Sequence, residues 1–165
     1  MGRAHEPPTS PTTISVAGPA FGAAHAGLHQ GRFEALHGHT YTCRLDLVGT
    51  LDPEGVVTDF VPVRQALAEA IAPLQRRTLM PAHAPAPVRL HHEDGMFVIE
   101  DGHRRFALPV QDVVLLPVVN TSTELLGQYL LDQVRPHLDG VERAALVLRE
   151  SPTAQARVEH HFGGQ

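Results

Sequence analysis

The chain holds one cysteine, Cys43, among its 165 residues. A single thiol cannot close an intramolecular disulfide, so stability must come from an ordinary core, and a reducing cytoplasm is the expected compartment. No window approaches the roughly 18 consecutive apolar residues of a membrane span. The opening "MGRAHEPPTSPTT" has no hydrophobic signal core. Basic residues are scarce as well. Lys and Arg number 13 against 18 Asp and Glu, net charge is −5, and the nearest thing to a basic run is "QRRT" at Arg76 and Arg77. That leaves no electrostatic footprint for nucleic acid. No repeat at a solenoid period is present. The length suits one domain with a normal core. Against these absences stands one excess: 12 histidines.

Residues 1–11, rich in Pro, Ser and Thr, read as a disordered lead-in, and residues 12–165 as a single domain. "TTISVAGPAF" is a first strand ending at Gly18-Pro19. Residues Phe21 to Leu36 have no clean period and read as a loop. From His39 onward the odd residues Tyr41, Cys43, Leu45 and Leu47 share one face and Thr40, Thr42, Arg44 and Asp46 the other, a half-buried strand with Cys43 in its core face. A helix follows, capped by Asp59, with Phe60, Val63, Leu67, Ile71 and Leu74 on one stripe and Pro62 tolerated in the first turn. "MPAHAPAPV" breaks the pattern. Three short strands punctuated by "EDG" at Glu93–Gly95 and Glu100–Gly102 then read as an inserted meander of two tight hairpins, at about residues 86–110. "NTSTELL" opens a second helix, with Thr121 and Glu124 as a capping box and Leu126, Tyr129, Leu130 and Val134 as its stripe. "AALVLRE" and "ARVEHHF" are the last strands. The order implies an α+β fold with helices on one face of an antiparallel sheet.

The chemistry concentrates in "RFEALHGHTY". Residues two apart on a strand point the same way, so His37 and His39 can present imidazoles side by side, with Gly38 letting a backbone approach between them. A nitrogen from His25, in "GAAHAG", would complete a three-histidine set with an open fourth position, the arrangement of catalytic rather than structural zinc. The alternative is a pair of strand-end histidines bonded to backbone or water.

"FGAAHAG" followed by "EALHGHTYTCRLDLVGTLDPEGVVTDFVPVRQAL" resembles the 6-pyruvoyl-tetrahydropterin synthase family, which includes the 6-carboxytetrahydropterin synthases of queuosine biosynthesis. Its hallmarks are F-x-A-A-H, then H-G-H-x-Y, a strand ending in V-x-G and a G-(M/V)-V-x-D-F helix entry. "NTSTELL" and "LVLRES" resemble its later P-T-x-E and V-x-E-T segments. The resemblance implies a tunnelling fold: a four-stranded antiparallel sheet backed by two helices, with subunits joined through sheet edges into a homo-oligomer, usually a hexamer of two trimers. It implies active sites between subunits, a Zn2+ cofactor on His25, His37 and His39, and a pterin-like small-molecule substrate. Glu150 would grip the guanidine-like edge of the pterin by paired, charge-assisted hydrogen bonds, with Thr123 close by. Glu124 is already explained as a cap.

Two positions depart from the family pattern. Its usual cysteine, four residues before H-G-H, is Phe33 here. The neighbouring Glu34 gives E-x-x-H-G-H instead, resembling the members that work in folate synthesis and release 6-hydroxymethyl-7,8-dihydropterin from 7,8-dihydroneopterin triphosphate. In that reading Glu34 is the general base. Burial beside Phe33 and Leu36 would raise its pKa and nearby zinc would lower it. The second departure is "LQRRTLMP": Gln75, Arg76 and Arg77 stand where an Asp–His proton-handling pair is usual, and neither Gln nor Arg is an acid–base group at neutral pH. His83, His91 or His92 could supply a replacement imidazole. The expectation is a zinc-dependent carbon–carbon lyase acting on a dihydroneopterin-type pterin. The alternatives are a family member recruited to another substrate, with Arg76, Arg77 and the meander shaping its pocket, and a non-catalytic pterin- or purine-binding oligomer.

Overall fold

The two-residue alternation after His37 builds the central strand of the molecule. A computed structural model describes residues 10–163; residues 1–9 of the expected lead-in lie outside the described residues. The chain runs β1 (Thr12–Ala17), β2 (Phe21–His25), β3 (Leu28–His29), β4 (Arg32–Phe33), β5 (His37–Gly49), α1 (Phe60–Ile71) and β6 (Thr78–Pro81). It continues with β7 (Arg89–Glu93), β8 (Met96–Glu100), β9 (Arg105–Pro109), β10 (Val113–Leu116), α2 (Thr123–Val134), β11 (Arg143–Ser151) and β12 (Ala154–His161).

β1 and β2 lie along one edge of β5, β11 along the other, and β12 outside β11, all antiparallel. With β1 and β2 counted as one interrupted strand, this is the expected four-stranded sheet. Two further strands widen it to seven when β1 and β2 are counted separately: β6 runs parallel to β2, and β10 parallel to β6. Both helices cover one face. Val63, Leu67 and Ile71 from α1, and Leu126, Leu130 and Val134 from α2, meet Tyr41, Cys43, Leu45 and Leu47 of β5 and Leu146 and Leu148 of β11 in one apolar core. Phe60, the first helical residue, departs from the expected stripe and stays 44% exposed. Burial pushes the Cys43 thiol up to about 12, so it is a packed, inert side chain. Among the described residues no helix is long and apolar enough to cross a membrane.

The Gly18-Pro19 break does more than end a strand. In β1 the even residues Ile14 and Val16 pair with Leu47 and Leu45; in β2 the odd residues Phe21, Ala23 and His25 pair with Tyr41, His39 and His37. The chain gains one residue relative to β5 across the break, and an extra residue in a period-two element sends every later side chain to the opposite face. The inward set therefore changes from even to odd, and His25 faces the core side along with His37 and His39. This corrects the expected loop over Phe21–Leu36, which contains β2 and the short β3–β4 ladder. "FGAAH" hides its strand because Gly and Ala carry little β propensity.

"MPAHAPAPV" likewise begins inside a strand, since β6 runs to Pro81. The meander β7–β8–β9 forms two hairpins whose turns place Asp94, Gly95 and Gly102 at positive φ. Its Phe97 and Ile99 pack with Ala26, Phe33 and Met80 in a second, smaller core. At the end of β8, Asp101 is 3% exposed; its carboxylate accepts the backbone N–H groups of Phe33, His103 and Arg104 at 2.6–2.7 Å. Burial by itself would raise its pKa, but the three donors, Arg104 foremost, outweigh burial and hold it at about 2. The α2 cap is displaced by one residue from expectation. Ser122 Oγ accepts from the Leu125 N–H, while Thr121 is buried and its hydroxyl donates to the Ala26 carbonyl instead.

Two outcomes follow. Ser122→Ala should destabilise the chain by about 1 kcal/mol in urea unfolding, and Glu124→Ala should change it by less than about 0.5 kcal/mol. Because the folded pKa of Asp101 lies below the ordinary carboxylate value, its stabilisation is complete above about pH 4 and is lost as pH falls towards 2. The Asp101→Asn protein should be less stable at neutral pH and should lose less of its remaining stability across that interval.

Candidate metal centre and active site

The one-residue bulge and the β2–β5 register set His25 directly opposite His37. His39 lies two residues further along β5, opposite Ala23. Gly38 between them lets β2 lie close, since a Cβ there would meet the Ala23 carbonyl oxygen at 3.3 Å. Ring centroids are 4.6 Å apart for His25 and His37, 5.2 Å for His25 and His39, and 4.9 Å for His37 and His39. One potential ligand atom from each of the three lies within 4.8 Å of the others.

The backbone chooses the tautomers. His25 Nδ1 lies 2.9 Å from the Thr121 carbonyl and His37 Nδ1 lies 2.8 Å from the Ala35 carbonyl. A carbonyl has no proton to give, so each Nδ1 carries the hydrogen and donates it, leaving the Nε2 lone pair free in the neutral ring. His25 Nε2 is buried without a hydrogen-bond partner among the described residues. Burial and then His37 lower the His25 pKa; the Thr121 carbonyl and Glu150 oppose this without reversing it. A neutral, oriented, otherwise unsatisfied nitrogen beside two further imidazoles is the donor set that suits a divalent metal such as zinc, and the carbonyl contacts are the outer partners that fix ligating rings.

The remaining expected site residues line the same cavity of about 580 Å³ as the three histidines. Glu34 is exposed, so the expected burial beside Leu36 does not occur: Leu36 is 39% exposed and only Phe33 turns inward. The Glu34 N–H donates to the Gly27 carbonyl at 2.9 Å. Its carboxylate lies over Gly27, where a Cβ would meet Oε2 at 3.1 Å. Glu150 sits where the β11–β12 register shifts, between Arg149 and Ser151. It accepts a short hydrogen bond from the Thr123 hydroxyl in the first turn of α2, and a helix start favours a carboxylate. Tyr41 is fully buried, its hydroxyl unpartnered; burial first and then Glu150 raise its pKa, so it remains a neutral donor.

Several participants escape a reading of the sequence. Asn120 Oδ1 accepts from the Leu28 N–H at 2.8 Å and its Nδ2 donates to the Leu28 carbonyl at 2.9 Å, tying the Gly27 segment to the entry of α2. Thr153, in the β11–β12 turn, and Gln155, at the start of β12, also line the cavity. Within the chain, Gln75, Arg76 and Arg77 do not line it. Gln75 Oε1 accepts from the Gly22 N–H, the Arg76 N–H donates to the Gly22 carbonyl, and the Arg77 carbonyl accepts from Ala24, so this segment buttresses β2. His83, His91 and His92 lie outside the cavity too.

His37→Ala removes an exposed ring and should leave the fold intact. Isothermal titration with Zn2+ should show one equivalent bound by the unaltered chain and an affinity loss of more than about 100-fold in this variant, beyond the 10–100-fold typical of losing an outer-shell partner.

A family model described as 6-pyruvoyl tetrahydropterin synthase matches residues 13–161. A candidate 6-carboxy-5,6,7,8-tetrahydropterin synthase of Methanocaldococcus jannaschii is 27% identical over 124 residues, 74% of this chain and 75% of that one. Its counterpart in Pyrococcus abyssi is 21% identical over 131 residues, 79% and 78% of the two chains. The 6-pyruvoyltetrahydropterin synthase of Plasmodium vivax, solved as a variant with its catalytic glutamate replaced by alanine, superposes with a TM-score of 0.85 at 26% identity, over 93% of this chain and 99% of that one. The Plasmodium falciparum enzyme gives the same TM-score at 27% identity, with the same coverage. Matched by that model over residues 13–161 and by these structures over nearly its whole length, the chain belongs to the 6-pyruvoyl tetrahydropterin synthase family.

Proposed function

We propose that this chain is a zinc-dependent lyase acting on a 7,8-dihydroneopterin triphosphate-like pterin, cleaving a side-chain carbon–carbon bond towards 6-hydroxymethyl-7,8-dihydropterin. The observation that carries the reading is the pairing at residues 33 and 34: Phe33 is buried in the second core, and the Glu34 carboxylate lines the three-histidine cavity. The base available there is thus a carboxylate and not a thiol. The Plasmodium vivax relative likewise has a glutamate as its catalytic residue.

His25, His37 and His39 hold the metal; when bound, zinc supplies Lewis-acid polarisation and orientation of side-chain oxygens. Glu34 takes the proton from the hydroxyl on the side-chain carbon that departs as an aldehyde. The electron pair of the broken C–C bond passes into the conjugated ring imine, and a proton then returns to the carbon left on the ring. Glu150 accepts the two N–H groups of the aminopyrimidine edge, held in place by the Thr123 hydroxyl. The assembly in this reading is a homo-oligomer, a dimer of trimers joined at sheet edges, with the cavity completed by a neighbouring subunit. The outer edge of β12 carries no partner strand among the described residues, which suits such edge pairing.

The test is turnover of 7,8-dihydroneopterin triphosphate with 6-hydroxymethyl-7,8-dihydropterin as product. Glu34→Gln should lower kcat by about 10²- to 10⁴-fold at unchanged zinc content, and Glu150→Gln should act mainly on KM. An inert wild-type chain, or Glu34→Gln at the full rate, rules out the reaction and leaves a recruited enzyme or a binder.

A further inference from the structure

Glu34 stands on an exposed segment with only two residues of strand before it, yet its neighbour is held as firmly as any core residue. The Phe33 N–H donates to Asp101 Oδ2 at 2.6 Å, and Arg104 Nε donates to the Phe33 carbonyl at 3.0 Å. The Phe33 ring is 4% exposed and meets the Phe106 ring edge-on, centroids 5.7 Å apart. All three partners, Asp101, Arg104 and Phe106, belong to the meander or its turn. Asp101 is itself fixed, since its other oxygen accepts the N–H groups of His103 and Arg104. Both backbone polar groups and the side chain of Phe33 are thus gripped by the meander.

Consecutive side chains on an extended backbone point to opposite sides. Once Phe33 is drawn into the second core, Glu34 is turned outward, over Gly27 and into the histidine cavity. We propose that Asp101, assisted by Arg104, is the positioning residue of Glu34: the inserted meander sets the register of the segment before His37 so that position 34, and not position 33, faces the three histidines. The kinetic part rests on reading Glu34 as the base; the geometric part does not.

Asp101→Asn separates this from general support of the fold. An amide can still accept the turn N–H groups with its oxygen, but then offers Phe33 an N–H in place of an acceptor. Arg104→Ala, at an exposed site, removes only the contact to the Phe33 carbonyl and serves if the first variant does not fold. In the full-length zinc-loaded protein, Asp101→Asn should speed amide exchange at Phe33 and Glu34 by about tenfold more than at β5 and β11. Its kcat on 7,8-dihydroneopterin triphosphate should fall by about ten- to a hundredfold, with KM and zinc content unchanged. Arg104→Ala should move both readouts the same way by less. Added to Glu34→Gln, Asp101→Asn should cost almost nothing further, because the group it positions is already gone. Unchanged exchange at Phe33, or a full additional kcat loss on top of Glu34→Gln, overturns the proposal. If the wild-type chain does not turn over this pterin, the proposed reaction fails and the exchange measurement alone decides the positioning.

Discussion

An imidazole has two nitrogens, and burying one of them with no partner costs about 1–3 kcal/mol. His25 is 5% exposed; its Nδ1 is committed to the Thr121 carbonyl and its Nε2 has no protein partner. The architecture around the site serves to hold that ring where it is. The bulge at Gly18-Pro19 turns it inward, the β2–β5 register brings it against His37, and the approach to α2 supplies the carbonyl that fixes its tautomer. A sheet strand and a helix entry far apart in the chain therefore converge on one atom. A bound cation would satisfy the unpartnered nitrogen with a coordinate bond and so remove that cost.

Around this centre the two cores divide the labour. The main core, between the sheet and the helices, places the histidines, Tyr41, Thr123 and Glu150. The second core, built largely by the meander, takes hold of Phe33 and thereby presents Glu34. The carboxylates differ in how they are held. Glu150 is tied by its side chain to the Thr123 hydroxyl at a helix start. Glu34 is exposed and is held by backbone alone, through its own N–H on the Gly27 carbonyl and through its neighbour Phe33.

Much of this was legible in the residues. The alternation after His37, the helix stripes, the paired "EDG" turns and the order of the family motifs are local patterns, and local patterns survive in a linear string. What escaped was non-local or locally disguised. "FGAAH" is a strand made of residues that do not favour strands, held by its pairing with β5 and β6 and by the Gln75–Arg77 segment. The parallel pairing of β6 with β10 joins residues more than thirty positions apart, which no periodicity reveals. Thr121 is the better capping residue on paper than in place: its hydroxyl is taken by Ala26, so the cap falls to Ser122. Asp101 looks like an ordinary turn acid, and only its bond to Phe33 gives it significance.

The account stands most directly on the coordination of the metal. Zinc K-edge X-ray absorption of the purified protein should give three imidazole nitrogens at about 2.0–2.1 Å and one exchangeable oxygen. The oxygen shell should change when a pterin bearing a vicinal diol side chain is added. Fewer than three nitrogen ligands, a closed four-protein-ligand shell, or a spectrum indifferent to the pterin would contradict it.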